Sequence, residues 1–184
     1  MDKQDKTYQH LKAFYESAQL DKEQAVEATI PAVNFEQCMR LALSNDQPAA
    51  WRSAWALANS VKTNPGRIIS RLPEIMCRLP EIKRDGQIRE LLKLFKDTAI
   101  SDWPEEVQGS LFDFCMSVLQ DSDKQPGTRS IGLQILLKFA AEEPLLLGEI
   151  QASFELIKHQ LSKGVRMSCE RRMNIMENKY LHLD

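Results

Sequence analysis

The sequence has few of the residues that build nucleotide or metal sites. Only seven glycines occur among its 184 residues, and they form neither a GxGxxG nor a P-loop pattern. The three histidines show no HExxH spacing, and the four cysteines include no CxxC pair. We therefore expect no cofactor, no bound metal and no catalytic centre, so the protein is not predicted to be an enzyme.

Long apolar runs and an export signal are also lacking. The longest stretch without a charged side chain, residues 53–61, has nine residues, whereas a membrane-spanning helix needs roughly 20. The first ten residues carry four charges and no apolar run, unlike a secretory signal peptide. These features predict a soluble, cytoplasmic protein with no membrane partner.

The cysteines are too widely spaced to suggest a shared site. They stand at Cys38, Cys77, Cys115 and Cys169. A chain of this size without an export signal is not expected to rely on disulfides. We therefore expect reduced thiols that are buried as small apolar side chains.

Helical periodicity is what the sequence has in abundance. Apolar residues recur at three- and four-residue spacing nearly everywhere, and no long segment alternates with period two. Trp51, Ala54, Trp55 and Ala58 form one apolar stripe of this kind. Both tryptophans are therefore expected to pack in the core rather than to form a ligand cage, and the fold is predicted to be all-α.

The helical segments also repeat one another. Phe35, Cys38 and Met39 return in the same order as Phe112, Cys115 and Met116. Cys77 lies 39 residues after Cys38 and 38 residues before Cys115. Each of these cysteines is followed by an arginine that opens the next helix, and the three arginines are Arg52, Arg89 and Arg129. A repeat of about 40 residues with two helices is typical of a stacked helical array.

This pattern resembles the HEAT and armadillo-like helical repeat family, including short bacterial HEAT-like chains. The bent first (A) helix of a HEAT unit matches the segment around Pro73. An aspartate six residues before the arginine of the second (B) helix appears as Asp46 before Arg52 and as Asp123 before Arg129. The resemblance implies that these pairs form a structural Asp–Arg ladder. Lys83 departs from the pattern, because it stands where an aspartate would precede Arg89.

The resemblance further implies a right-handed α-solenoid of about four HEAT-like helix pairs with an extra N-terminal helix. We divide the sequence into an N-terminal helical cap, residues 1–32, and a HEAT-like repeat array, residues 33–184, within one domain overall. Cys38, Cys77 and Cys115 should then occupy equivalent buried positions. The oligomeric state is not specified by the sequence.

Charge is unevenly distributed along the chain, although the total is only −2. Residues 51–100 hold ten Lys or Arg against five acids, a balance of +5. Arg89, Lys93 and Lys96 share one face of a predicted B helix, away from its apolar stripe. We interpret them as partner-binding residues, with Lys83 and Arg84 at the rim. The alternative interpretation is that this block is only a solvated surface.

Two functions remain open at this point. The favoured one is a non-catalytic protein-interaction or scaffold module, whose concave B-helix surface binds an acidic segment of another protein. The alternative is a nucleic-acid-binding or DNA base-excision protein of HEAT-like type, which would use the same cations. Because the cations are predicted to be exposed, reversing Arg89, Lys93 and Lys96 to Glu is expected to leave stability nearly unchanged.

Overall fold

The structure is a computed structural model, and it describes the backbone of residues 3–17 and 19–181 and the side chains of residues 4–17 and 19–178. Throughout these residues the regular structure is helical, and the described backbone contains no strand. The predicted all-α fold is therefore confirmed. The helices are α1 (Lys3–Glu16), α2 (Lys22–Glu27), α3 (Ala32–Ala42), α4 (Ala49–Val61), α5 (Gly66–Ile69), α6 (Leu72–Arg78), α7 (Asp85–Lys96), α8 (Glu105–Gln120), α9 (Pro126–Glu142), α10 (Leu146–Ile157) and α11 (Lys163–Leu181).

The chain divides into two compact units, residues 1–98 and 99–184. In the first unit, α3 and α4 form a helix pair, and α4 also packs against α1, α2 and α7. In the second, α8 and α9 form the closest pair, with α10 on both and α11 on α9. The predicted boundary after residue 32 stays a prediction, and the last three residues of the predicted array lie outside the described residues.

The N-terminal segment contains two helices where one was expected. The second, α2, is short, and Asp21 caps it by accepting a hydrogen bond at Oδ1 from the Gln24 amide, at 2.9 Å. The Tyr15 hydroxyl of α1 donates to the Ala25 carbonyl of α2 at 2.8 Å. Six residues are too few to show periodicity, so the sequence pattern missed this helix.

Small residues bring the helices of the first unit close together. All five alanines of α4 are buried, and Leu57 and Val61 complete its core side. Cys38 is also buried, which raises the pKa of its thiol to about 11. A hydrogen bond with the Tyr15 hydroxyl opposes this increase. The prediction of a buried thiol is confirmed for Cys38 and, in the second unit, for Cys115 and Cys169.

Cys77 does not follow the pattern of the other cysteines, because it is exposed. Helix α6 has only seven residues, and its buried side consists of Leu72, Ile75 and Met76. On a helix with 3.6 residues per turn, Cys77 falls outside that side. The prediction of three equivalent buried cysteines was therefore wrong at this position.

Candidate functional site

The predicted partner-binding residues of α7 surround a buried carboxylate. Glu90 is only 1% exposed, and its Oε1 accepts hydrogen bonds from Arg89 Nε and Nη2 at 3.2 and 3.1 Å. Its Oε2 accepts one from Lys93 Nζ at 2.7 Å. The side chains of Arg89 and Lys93 are 33% and 27% exposed. They are thus half-buried and ion-paired, which corrects the expectation of free, exposed cations.

The other three predicted residues have different surroundings. Lys96 Nζ lies 2.8 Å from Asp97 Oδ1. Arg84 directly precedes α7, donates from Nη1 to Gln47 Oε1 at 3.2 Å, and holds its guanidinium 5.0 Å from the centre of a Trp51 ring. Lys83 is exposed. The structure therefore brings Arg84 next to Trp51. Lys83 and Lys96 do not line the pocket to which Arg89 and Lys93 contribute.

A surface pocket of about 450 Å³ lies where α4 meets α7 and the start of α2. We call it the tryptophan pocket. It contains two of the predicted residues together with six that the site prediction did not include. Its lining consists of Leu20, Lys22, Trp51, Arg52, Trp55, Arg89, Glu90 and Lys93.

Trp51 and Trp55 are one turn apart on α4 and are half-buried, so each exposes part of its indole. The start of α7 approaches Trp51 closely. A Cβ added to Gly86 would lie only 3.4 Å from the indole nitrogen. The expectation that both rings pack in the core was wrong. Their spacing specified a common face of α4, but it did not specify that this face stays open.

Arg52 connects the pocket to the N-terminal helix. Its Nη1 donates to the carbonyl oxygens of Tyr15 and Ser17, at 2.9 and 2.8 Å. Carbonyls at a helix C-terminus lack partners within the helix, so a guanidinium is well suited to this place. The contact holds the end of α1 beside the pocket and with it the connection that carries Leu20.

The Asp–Arg ladder implied by the family resemblance is not formed. Asp46 instead accepts hydrogen bonds from Lys12 Nζ at 2.9 Å and from the Tyr8 hydroxyl at 3.2 Å. The hydrogen bond from Lys12 is the main cause that lowers the pKa of the Asp46 carboxyl below its usual value. Arg129, in the second unit, donates to the Leu119 carbonyl rather than to Asp123.

The charges of the tryptophan pocket favour an anionic ligand. Lys22, Arg52, Arg89 and Lys93 supply four positive charges against the single carboxylate of Glu90, a formal balance of +3. Arginine and lysine each have several N–H donors, so the bonds to Glu90 leave others for a ligand. Exposed indole surface in a pocket adds apolar contact, which is typical of binding hot spots.

Among the described side chains of residues 4–17 and 19–178, no three His, Cys, Asp or Glu residues lie together in a way that would hold a metal ion. No helix in this part of the chain is both long and apolar enough to cross a membrane.

Comparison with known proteins identifies the class of the protein. The family model of the HEAT repeat domain matches residues 12–179, which is most of the chain. The chain therefore belongs to the HEAT repeat family, in agreement with the resemblance and with the paired helices. No curated protein and no solved structure shows a significant match.

Proposed function

We propose that this HEAT repeat protein is a non-catalytic interaction module that holds an acidic segment of another protein in the tryptophan pocket. HEAT repeats generally mediate contacts between proteins, which supports the class of function. The observation that carries the finer proposal is the combination, in one pocket, of a +3 balance and two half-buried tryptophans.

An acidic side chain in the pocket would accept hydrogen bonds from N–H groups of Arg89 and Lys93 that do not bind Glu90. Because Glu90 already holds both cations in place, little side-chain entropy remains to be lost when the ligand binds. The indoles of Trp51 and Trp55 would cover the apolar part of the segment. The charges should act mainly on the association rate, and added salt should weaken binding.

A protein segment suits the pocket better than a nucleic acid does. Nucleic-acid sites follow a regularly charged backbone with a continuous track of cations. Here the carboxylates of Glu23 and Glu27 lie on the α2 side of Trp55 and would repel a long polyanion. We therefore keep nucleic-acid binding as an outcome of the test rather than as a second proposal.

The test needs variants that change the pocket without disturbing Glu90. Lys22→Glu reverses an exposed charge at the pocket edge, and Trp55→Ala removes a half-buried indole. Lys163→Glu makes the same charge change at an exposed position in the second unit and serves as the control. Arg89 and Lys93 are not suitable, because reversing them would surround a buried carboxylate with further carboxylates.

The measurement is fluorescence anisotropy of a labelled peptide rich in Asp and Glu, with a neutral peptide of equal length and a single-stranded oligonucleotide in parallel. We expect the acidic peptide to bind, and Trp55→Ala to weaken it by about 30-fold or more, the loss typical of a hot spot. Lys22→Glu should weaken it several-fold, and Lys163→Glu should not.

Two results would count against the proposal. If Trp55→Ala and Lys22→Glu bind the acidic peptide as the wild type does, the tryptophan pocket is not the site. If the oligonucleotide binds more tightly than the peptide and its affinity falls steeply with salt, the nucleic-acid alternative is favoured instead.

A further inference from the structure

A second pocket adjoins the tryptophan pocket on the side of α2. It measures about 410 Å³, and we call it the side pocket. It shares Lys22 and Trp55 with the tryptophan pocket, so the two pockets adjoin at these side chains. The full lining of the side pocket is Lys22, Glu23, Val26, Glu27, Trp55 and Asn59.

The charge of the side pocket is opposite to that of its neighbour. Glu23 and Glu27 are exposed and one turn apart on α2, and neither forms an ion pair with another described side chain. Asn59 is neutral, and both ends of its amide already have partners, since its Nδ2 donates to the Trp55 carbonyl and its Oδ1 accepts from Lys62 Nζ. Val26 adds an apolar surface to the same pocket.

We infer that the acidic segment bound in the tryptophan pocket also carries a basic residue, which the side pocket receives. This inference rests on the proposed function. The aliphatic stem of a Lys or Arg would pack on Val26 and Trp55, while its charged end would lie opposite Glu23 and Glu27. The partner is thus a segment with an acidic and a basic residue close together, not a purely acidic tail.

The shared indole sets the spacing of the two residues. Groups that contact Trp55 from its two sides at van der Waals distance, about 3.5–4.0 Å each, lie roughly 7–8 Å apart. In an extended segment, side chains on the same side occur every second residue, at a separation of about 7 Å. The basic residue should therefore stand two positions from the acidic one.

The experiment selects ligands from a displayed library of random linear peptides. Wild-type protein and Glu23→Gln/Glu27→Gln protein are used as baits, and Glu142→Gln/Glu143→Gln, which neutralises two exposed carboxylates in the second unit, is the control. We expect the wild type and the control to enrich peptides with an acidic and a basic residue two positions apart. The Glu23→Gln/Glu27→Gln bait should keep the acidic preference and lose the basic one.

Affinity measurements on one selected peptide give the size of the effect. Replacing its basic residue by Ala should weaken binding to the wild type about two- to five-fold, the range for exposed charge pairs. The same replacement should have no measurable effect on the Glu23→Gln/Glu27→Gln variant.

The outcomes separate the two proposals. If acidic peptides are enriched without a basic residue, or if Glu23→Gln/Glu27→Gln still prefers one, the inference about the side pocket is overturned and the proposed function stands. If the wild-type bait enriches no acidic residue at all, the proposed function fails, and the inference fails with it.

Discussion

Glu90→Gln should lower the free energy of unfolding of the wild type but raise that of a variant that lacks the cations bound to Glu90. The double variant Arg89→Gln/Lys93→Gln removes both cations that bind Glu90, which is 1% exposed. Adding Glu90→Gln to this variant should then raise stability. The third substitution removes an ionised group that the first two left buried without a partner.

The magnitude follows from the burial of the three groups. Removing the partners of a fully buried ion costs about 3–5 kcal/mol. Since Arg89 and Lys93 are about a third exposed, water offsets part of this loss, and we expect about 2–3 kcal/mol for the double variant. Glu90→Gln in the double variant should recover about 1–2 kcal/mol, whereas Glu90→Gln alone should cost about 1 kcal/mol.

Urea unfolding followed by circular dichroism measures the free energy of unfolding of the four proteins in this cycle. If Glu90→Gln destabilises the double variant as much as the wild type, the ion pairs contribute no coupling and the reasoning is refuted. The triple variant has a further use, because it lowers the formal balance of the tryptophan pocket while keeping the fold. The triple variant therefore tests how these charges contribute to binding without placing new carboxylates around a buried Glu90, as charge reversal of Arg89 and Lys93 would.

Four further predictions concern stability and reactivity. Arg129→Met should lower the free energy of unfolding by about 2–3 kcal/mol in urea melts, because Arg129 is 2% exposed and donates to a backbone carbonyl; a loss below 0.5 kcal/mol would contradict a structural role. Cys77 should react with a thiol reagent at a normal rate in the native protein, whereas Cys38, buried with a raised pKa, should react only after unfolding. The pKa of Asp46 is lowered, so the stability that Asp46 adds over Asp46→Asn should be present at neutral pH and be lost as the pH falls below about 4, the usual Asp value; melts across pH 2–7 decide this. A chelator should leave the melting temperature unchanged, and elemental analysis should find no stoichiometric metal, contrary to what a zinc-stabilised fold would show.

The sequence specified the helices better than it specified their contacts. Helix α9 begins at Pro126 and α7 at Asp85, and proline and acidic residues are both favoured in the first turn of a helix. Periodicity also places residues on helix faces correctly. It does not state which face another helix covers, and this is why Trp51 and Trp55 were assigned to the core although they line a pocket.

The candidate site was predictable only in part for the same reason. Arg89 and Lys93 were singled out by charge and helical spacing, and both line the pocket. The pairing of both with Glu90 was not anticipated, although a carboxylate adjacent to Arg89 and one turn from Lys93 is a visible signal. Lys22 and Leu20 reach the pocket through the fold of the N-terminal segment, and nothing local in the sequence indicates that.

The three repeated arginines do not share one structural role. Arg52 and Arg129 both donate to carbonyls near the end of a preceding helix, at Tyr15 and Leu119. On α7, Gln87 makes the corresponding contacts instead. Its Nε2 donates to the carbonyls of Ala42 and Ser44, both at 2.8 Å. Arg89 is therefore not needed to complete a helix end, and Glu90 directs it toward the pocket instead. The departure from the repeat pattern thus occurs where Gln87 makes the contacts with the helix end, which leaves Arg89 available for the binding that we propose.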